Sequence, residues 1–235
     1  MTVAASLVQL LHRVNRQKTD LKGQLARGPK MVAAAKAKLK HAEDTAAAAK
    51  SKLMQMKVEA DSKQLQMKER EEKIVKLHGK LNAAKENREY QALKDQIAAD
   101  KQANLVLSDE ILELLESIDE MVETQKVTEA TVAEVRGEVE KIEKQVADKR
   151  LVLESELARV EAELVEAEKG LSGDFKREYL RLVAVKGEDA MAELEGNCCS
   201  GCYQSLTPQL LDKLLQGQPV LCPACGRLIY QDPER

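Results

Sequence analysis

Apolar residues in the first eighty positions recur at alternating steps of four and three. From Leu7 these steps reach 22 positions ending at Leu81, of which 18 are apolar; the exceptions are Lys18, Gly28, Lys63 and Arg70. A seven-residue repeat sustained this long predicts a helix whose apolar stripe is a coiled-coil seam. The middle of the stripe is Ala35, Ala42, Ala46 and Ala49. A partner helix comes close there but buries little apolar area per turn, so the section should be thin and easily bent. Gly28-Pro29 lies inside the pattern. Proline removes a helical hydrogen bond and its ring crowds the preceding turn, so a kink or break is expected.

A second series runs from Leu107 through Ile111, Leu114, Ile118, Met121, Gln125, Thr128, Val132, Val135, Val139 and Ile142 to Val146. It resumes at Leu153, Leu157, Val160 and Leu164. The consecutive steps of four near Leu153 form a stutter, which locally unwinds a supercoil. Between the series, HGKLNAAKENREYQAL holds Gly79, Asn82 and Asn87, and a turn is expected near 79–88. The arms on either side, back to the N-terminus and forward to Gly170, are similar in length, about 80 residues or roughly 120 Å of helix each. The economical arrangement over 1–170 is an antiparallel hairpin; a parallel or intertwined oligomer is the alternative.

Past Gly170 the period changes. Ser172 can cap a short helix to about Val185, with Phe175, Tyr179, Leu182 and Val183 near one face to hold the tail to the hairpin. Lys186-Gly187 ends it, and AMAEL alternates as a short strand does. The predicted fold is all-α, an elongated antiparallel coiled-coil hairpin (1–170), with a short connecting helix (171–187) and a small C-terminal ribbon of short strands and one short helix (188–235).

Composition fits this reading. With 33% charged residues, 2% aromatic, no Trp and one Phe, the chain cannot build a compact core of ordinary size, yet 43% hydrophobic content excludes plain disorder. The net charge of −3 conceals blocks of +10 over 1–90, −11 over 91–189 and −2 over 190–235. The first two blocks neutralise each other if the helices pair. No apolar run approaches a membrane span, and no basic segment precedes the first apolar stretch as in a signal peptide, so a cytoplasmic location is expected.

All five cysteines lie in the tail: Cys198, then Cys199-Ser200-Gly201-Cys202, nineteen residues, and Cys222-Pro223-Ala224-Cys225-Gly226. Two C-x2-C pairs at such a separation form a zinc-ribbon signal, because each knuckle converges two thiolates and two knuckles complete a tetrahedron. Cys199, Cys202, Cys222 and Cys225 are therefore the expected ligands of one structural Zn2+ per chain, with an iron–sulfur centre or redox use as the alternatives. Cys198 is read as the spare thiol, because pairing it with Cys202 needs the less usual x3 spacing. The glycines are expected to let the backbone wrap the metal with positive φ. Between the knuckles, Thr207 and Pro208 open a helix, QLLDKLLQ, closed by Gly217. Its leucines Leu210, Leu211, Leu214 and Leu215 either pack internally or dock a partner.

Four thiolates leave no open metal position, and His12, His41 and His78 are scattered along the first helix, so no enzyme chemistry is expected. Nucleic-acid contact depends on clustered Lys and Arg. The ribbon offers Lys213, Arg227 and Arg235 alone. Nucleic-acid binding stays the competing reading, through the basic first helix if that helix is uncovered.

Three motifs together, the N-terminal heptads, NREYQALKDQI from Asn87 to Ile97, and CSGC...LTPQLL...CPACGRLIY, resemble the bacterial C4-type zinc-ribbon proteins with a hook-shaped coiled coil. The resemblance covers nearly the whole chain. The family has FlgZ-like flagellar and CdsZ-like chlamydial type III secretion members. What the resemblance implies is an adaptor or chaperone that holds proteins such as the sigma-54 factor or components of a flagellar or type III export apparatus. It also implies Cys199, Cys202, Cys222 and Cys225 as zinc ligands, and names no partner-binding residues.

Overall fold

The computed structural model describes residues 5–231. Helix α1 spans Ala5–Ala83 and α2 spans Asn87–Lys169. The turn between them is short, and the Ala84 amide donates to the Leu81 carbonyl. The helices pair antiparallel: Lys73 meets Asp100 at 3.0 Å, and Lys63, farther from the turn, meets Glu110 at 2.7 Å. This is a helical hairpin carrying a small C-terminal sheet and helix.

The heptad reading is visible in burial. Between residues 16 and 83 each seam position of α1 is at least partly buried, Lys18, Gly28, Lys63 and Arg70 included, and every other position is exposed. The α2 seam starts earlier than its apolar residues suggest, at Leu93, Ile97, Asp100 and Asn104. Asp100 is tolerated there by its ion pair with Lys73, and the Asn104 amide donates to the Met67 carbonyl at 3.4 Å. At the stutter, residues 147–152 are all exposed.

No break occurs at Gly28-Pro29: α1 runs through Pro29 uninterrupted. Seam positions Leu25, Gly28 and Val32 stay partly buried on both sides of the proline, which offsets the lost hydrogen bond. Glycine is needed for that packing, since a Cβ on Gly28 would stand 2.8 Å from Val146 Cγ1.

After α2 come α3 (Gly173–Lys186), a single 3-10 turn (Gly187–Ala190), β1 (Met191–Glu195), β2 (Cys198–Cys199), α4 (Pro208–Leu215), β3 (Val220–Leu221) and β4 (Leu228–Tyr230). The sheet order is β2-β1-β4-β3, with β1 and β4 parallel and both outer pairings antiparallel. Ser172 and Thr207 occupy the N-cap positions of α3 and α4 in extended conformation but make no side-chain cap bond.

The chain divides into two compact units, one from residues up to Ala33 together with those from Ile142 onward, the other Ala34–Lys141. In the first, Val8, Leu11, Val14 and Leu21 of α1 and Val160, Leu164 and Ala167 of α2 form one core with Tyr179 and Leu182 of α3. Strand alternation divides the sheet between two cores. Met191, Leu228 and Tyr230 face the helices, while Ala192 and Ile229 face α4 and the cysteines. In the second unit, Leu53, Ala60 and Ile118 form one seam cluster and Ile74, Leu77 and Ile97 another.

Cross-helix ion pairs follow the charge blocks. Within the first unit, Arg13 meets Glu163 and Lys22 meets Glu161; within the second, Lys38 meets Glu138, and Glu43 with Arg136 is the one reversed pair among those named here. Such exposed pairs contribute below about 1 kcal/mol each and act mainly on partner choice and orientation.

Candidate metal centre

The sheet brings the knuckles together. β2 carries Cys199 at the sheet edge, and the loop from β3 to β4 carries Cys222 and Cys225. The Sγ atoms of Cys199, Cys202, Cys222 and Cys225 all lie within 4.8 Å of one another. Cys199 and Cys225 are 3.8 Å apart and Cys202 and Cys222 are 3.6 Å apart. Metal–sulfur bonds of about 2.3 Å in a tetrahedron require edges of roughly 3.8 Å, so the thiols fit one ion of zinc size and are too far apart for disulfides. Among the described residues no other group of His, Cys, Asp and Glu converges three or more ligand atoms in this way. Cys198 points elsewhere, with its Sγ 3.5 Å from Ser205 Oγ.

The two knuckles share one backbone plan. The Tyr203 amide donates to the Cys199 carbonyl at 2.7 Å, and the Gly226 amide donates to the Cys222 carbonyl at 2.8 Å. The first cysteine of each then donates its own amide five residues on, Cys199 to Gln204 and Cys222 to Arg227. Closing such a turn needs positive φ at the fourth residue after the first cysteine. Gly226 supplies it at 67°, and in the first knuckle Tyr203 does so at 58°. The expectation that glycine serves both knuckles is corrected here: Gly201 does not have positive φ. Its role is steric, since a Cβ there would lie 2.5 Å from Arg227 Cδ.

Arg227 is the residue that sequence reasoning missed. Its guanidinium donates to the Gly201 carbonyl at 2.7 Å and to the Asp189 carbonyl at 2.8 Å, with Asp189 Oδ1 at 3.3 Å. It ties both knuckles to the 3-10 turn after α3. The Lys186 ammonium donates to the Cys225 carbonyl, and the Glu193 amide to Ser200 Oγ. Burial pushes the Cys199 thiol up to about 12. Cys225 is lowered to about 6: burial opposes this, and hydrogen bonds from the Arg227 amide and the neighbouring thiols outweigh it. A metal here has to displace the protons of the thiols it binds.

Around the centre, Leu214 is buried and Leu210 and Leu211 pack on the ribbon core, while Leu215 is 69% exposed. The tail meets α1 through His12, whose Nδ1 is 3.0 Å from the Tyr230 hydroxyl, and through Asn15, which donates to the Tyr179 hydroxyl at 2.9 Å. Arg235 lies outside the described residues.

Solved structures share this architecture. CT398 from Chlamydia trachomatis superposes with a TM-score of 0.82 at 16% identity, over 97% of each chain. The HP0958 protein from Helicobacter pylori gives 0.64 at 15% identity, over 97% of this chain and 98% of its own. A Mycobacterium smegmatis protein gives 0.60 at 14% identity, over 98% and 100%. The fold is thus common to three bacteria. No protein-family profile matches the chain, and no curated protein sequence matches it. No helix among the described residues is long and apolar enough to cross a membrane.

Proposed function

We propose that this chain is a non-enzymatic adaptor or chaperone of the C4-type zinc-ribbon, hook-shaped coiled-coil family. It would work in the cytoplasm and bind proteins of the sigma-54 transcription and flagellar or type III secretion systems through its coiled coil and ribbon. The observation that carries the reading is the closed four-thiolate cluster on a helical hairpin, since such a donor set leaves no coordination position for water or substrate. The three sequence motifs and the shared fold with CT398 and HP0958 support the family.

Cys199, Cys202, Cys222 and Cys225 would hold one Zn2+. When bound, the ion supplies a cross-link between the knuckles that so short a segment cannot replace with core burial. The rest is this chain's own work. Arg227 and Lys186 fix the knuckles, β4 seats Tyr230 and Leu228 on α1, and α3 wedges Tyr179 against Asn15.

The competing reading is nucleic-acid binding through the basic first helix, and the pairing of Arg13, Lys22, Lys38 and Lys63 with carboxylates of α2 weighs against it. Affinity capture with the full zinc-loaded chain in bacterial cytoplasm tests the two. The adaptor reading expects retrieval of sigma-54 or export-apparatus proteins that survives nuclease treatment. Retrieval of nucleic acid alone, lost steeply with added salt, would overturn it.

A further inference from the structure

Helix α2 has a second apolar stripe that α1 does not use. Leu105, Leu112 and Leu115 are 60%, 57% and 39% exposed. With Ser108 and Asp119 they follow steps of three and four, and at about 100° per residue they occupy an arc of roughly 80°. That arc adjoins the α1-facing seam of Leu107, Ile111, Leu114 and Ile118 without coinciding with it. Single exposed leucines are ordinary, but a series at helical spacing has the form of a docking face. One end opens into a groove of about 650 Å³ between the helices, lined by Glu71 and Val75 of α1 and by Lys101, Leu105 and Ser108 of α2; Lys101 marks where the acidic stretch begins.

Charge selects the occupant. Residues 105–123 hold seven Asp or Glu and no Lys or Arg. Asp109, Glu113, Glu116 and Glu120 are exposed along the flank of the stripe, with Glu113 in electrostatic reach of Lys63 of α1. None of these four forms a salt bridge among the described residues, whereas Glu110, on the far side of the α1-facing seam, is taken by Lys63. A second copy applying the same segment would set seven carboxylates against seven. We propose that α2 between Leu105 and Val122 is a partner-facing seam that takes an amphipathic helix whose apolar stripe is edged with Lys and Arg. Leucines give the anchoring contacts, and the carboxylate row gives selection and register. This rests on the protein-binding function proposed above and names the chemistry of the partner.

The test uses the full zinc-loaded chain and two synthetic 20-residue helices with identical leucine stripes, one edged with Lys and Arg, its twin with Glu. Fluorescence anisotropy should show the basic peptide binding at least about tenfold more tightly than the acidic one. Leu112→Gln with Leu115→Gln should weaken it about tenfold or more with helicity unchanged, because both side chains face solvent. Glu113→Gln with Glu116→Gln and Glu120→Gln should weaken it several-fold and flatten its salt dependence. Basic-peptide binding that ignores the leucine substitutions is charge attraction alone and overturns the seam. So does a wild-type dimer in sedimentation that those substitutions dissociate, since a second copy then covers the face. If the leucine variant also captures sigma-54 or export proteins as wild type does while peptide selectivity is absent, the seam fails and the adaptor function stands. If wild type captures none of them, the adaptor function itself fails.

Discussion

Tyr203 holds a backbone conformation that its counterpart Gly226 adopts freely, φ 58° against 67°, and its side chain is 75% exposed. A left-handed conformation costs a side-chain-bearing residue about 1 kcal/mol or more. Tyr203→Gly should therefore raise the stability of the zinc-loaded tail by about 1 kcal/mol and Gly226→Ala should lower it by a similar amount, read from thermal unfolding of each variant. At the thiols, Cys198→Ser should keep a full equivalent of zinc in elemental analysis, and Cys199→Ser should lose most of it. His12 gives a pH signature. Burial, then Arg16, holds its pKa below the ordinary 6.5, with Asp189 opposing. The unfolded chain binds that proton more readily, so the contribution of this contact is present above pH 6.5 and is lost as pH falls through the lowered value. An NMR titration should find the His12 midpoint below 6.5, and His12→Gln should flatten the stability profile on the acid side. The C-x2-C spacings were plain in the sequence. The strap made by Arg227 was not, because its partners Gly201 and Asp189 are 26 and 38 residues away and accept largely through backbone oxygens that carry no sequence signal.

Among the elements, helices α1 and α2 were the most legible, since a seven-residue repeat states both the secondary structure and the buried face. The repeat failed to announce the start of the α2 seam, because Asp100 and Asn104 sit at seam positions and polarity alone reads as surface. Of the kink or break expected at Pro29, the break is absent, because a helix already held along its seam absorbs a local cost of about 3 kcal/mol. Glycines within α1 separate propensity from packing. A Cβ at Gly23 or Gly79 meets nothing within 4 Å, while one at Gly28 meets Val146 at 2.8 Å. Thermal unfolding should show Gly23→Ala and Gly79→Ala stabilising by about 0.5–1 kcal/mol each, and Gly28→Ala gaining less or losing stability. In α4 the apolar count alone left the direction of the leucines open. The helix turns Leu214 inward and leaves Leu215 in solvent.

Across the whole molecule, one compact unit contains the thiol cluster, α3 and the paired ends of α1 and α2, and the other, Ala34–Lys141, contains the acidic stripe of α2. On the proposed function the metal would be a requirement of the first unit alone, because the helices of the second have their own seam clusters. The most direct test is hydrogen–deuterium exchange of the full chain, zinc-loaded and after chelation. The account predicts that chelation removes amide protection from 187–231 and weakens it around Tyr179 and Leu182, where the tail packs, while 93–122 keeps its protection. Unchanged protection of the tail without metal, or loss of protection throughout 93–122, would contradict it.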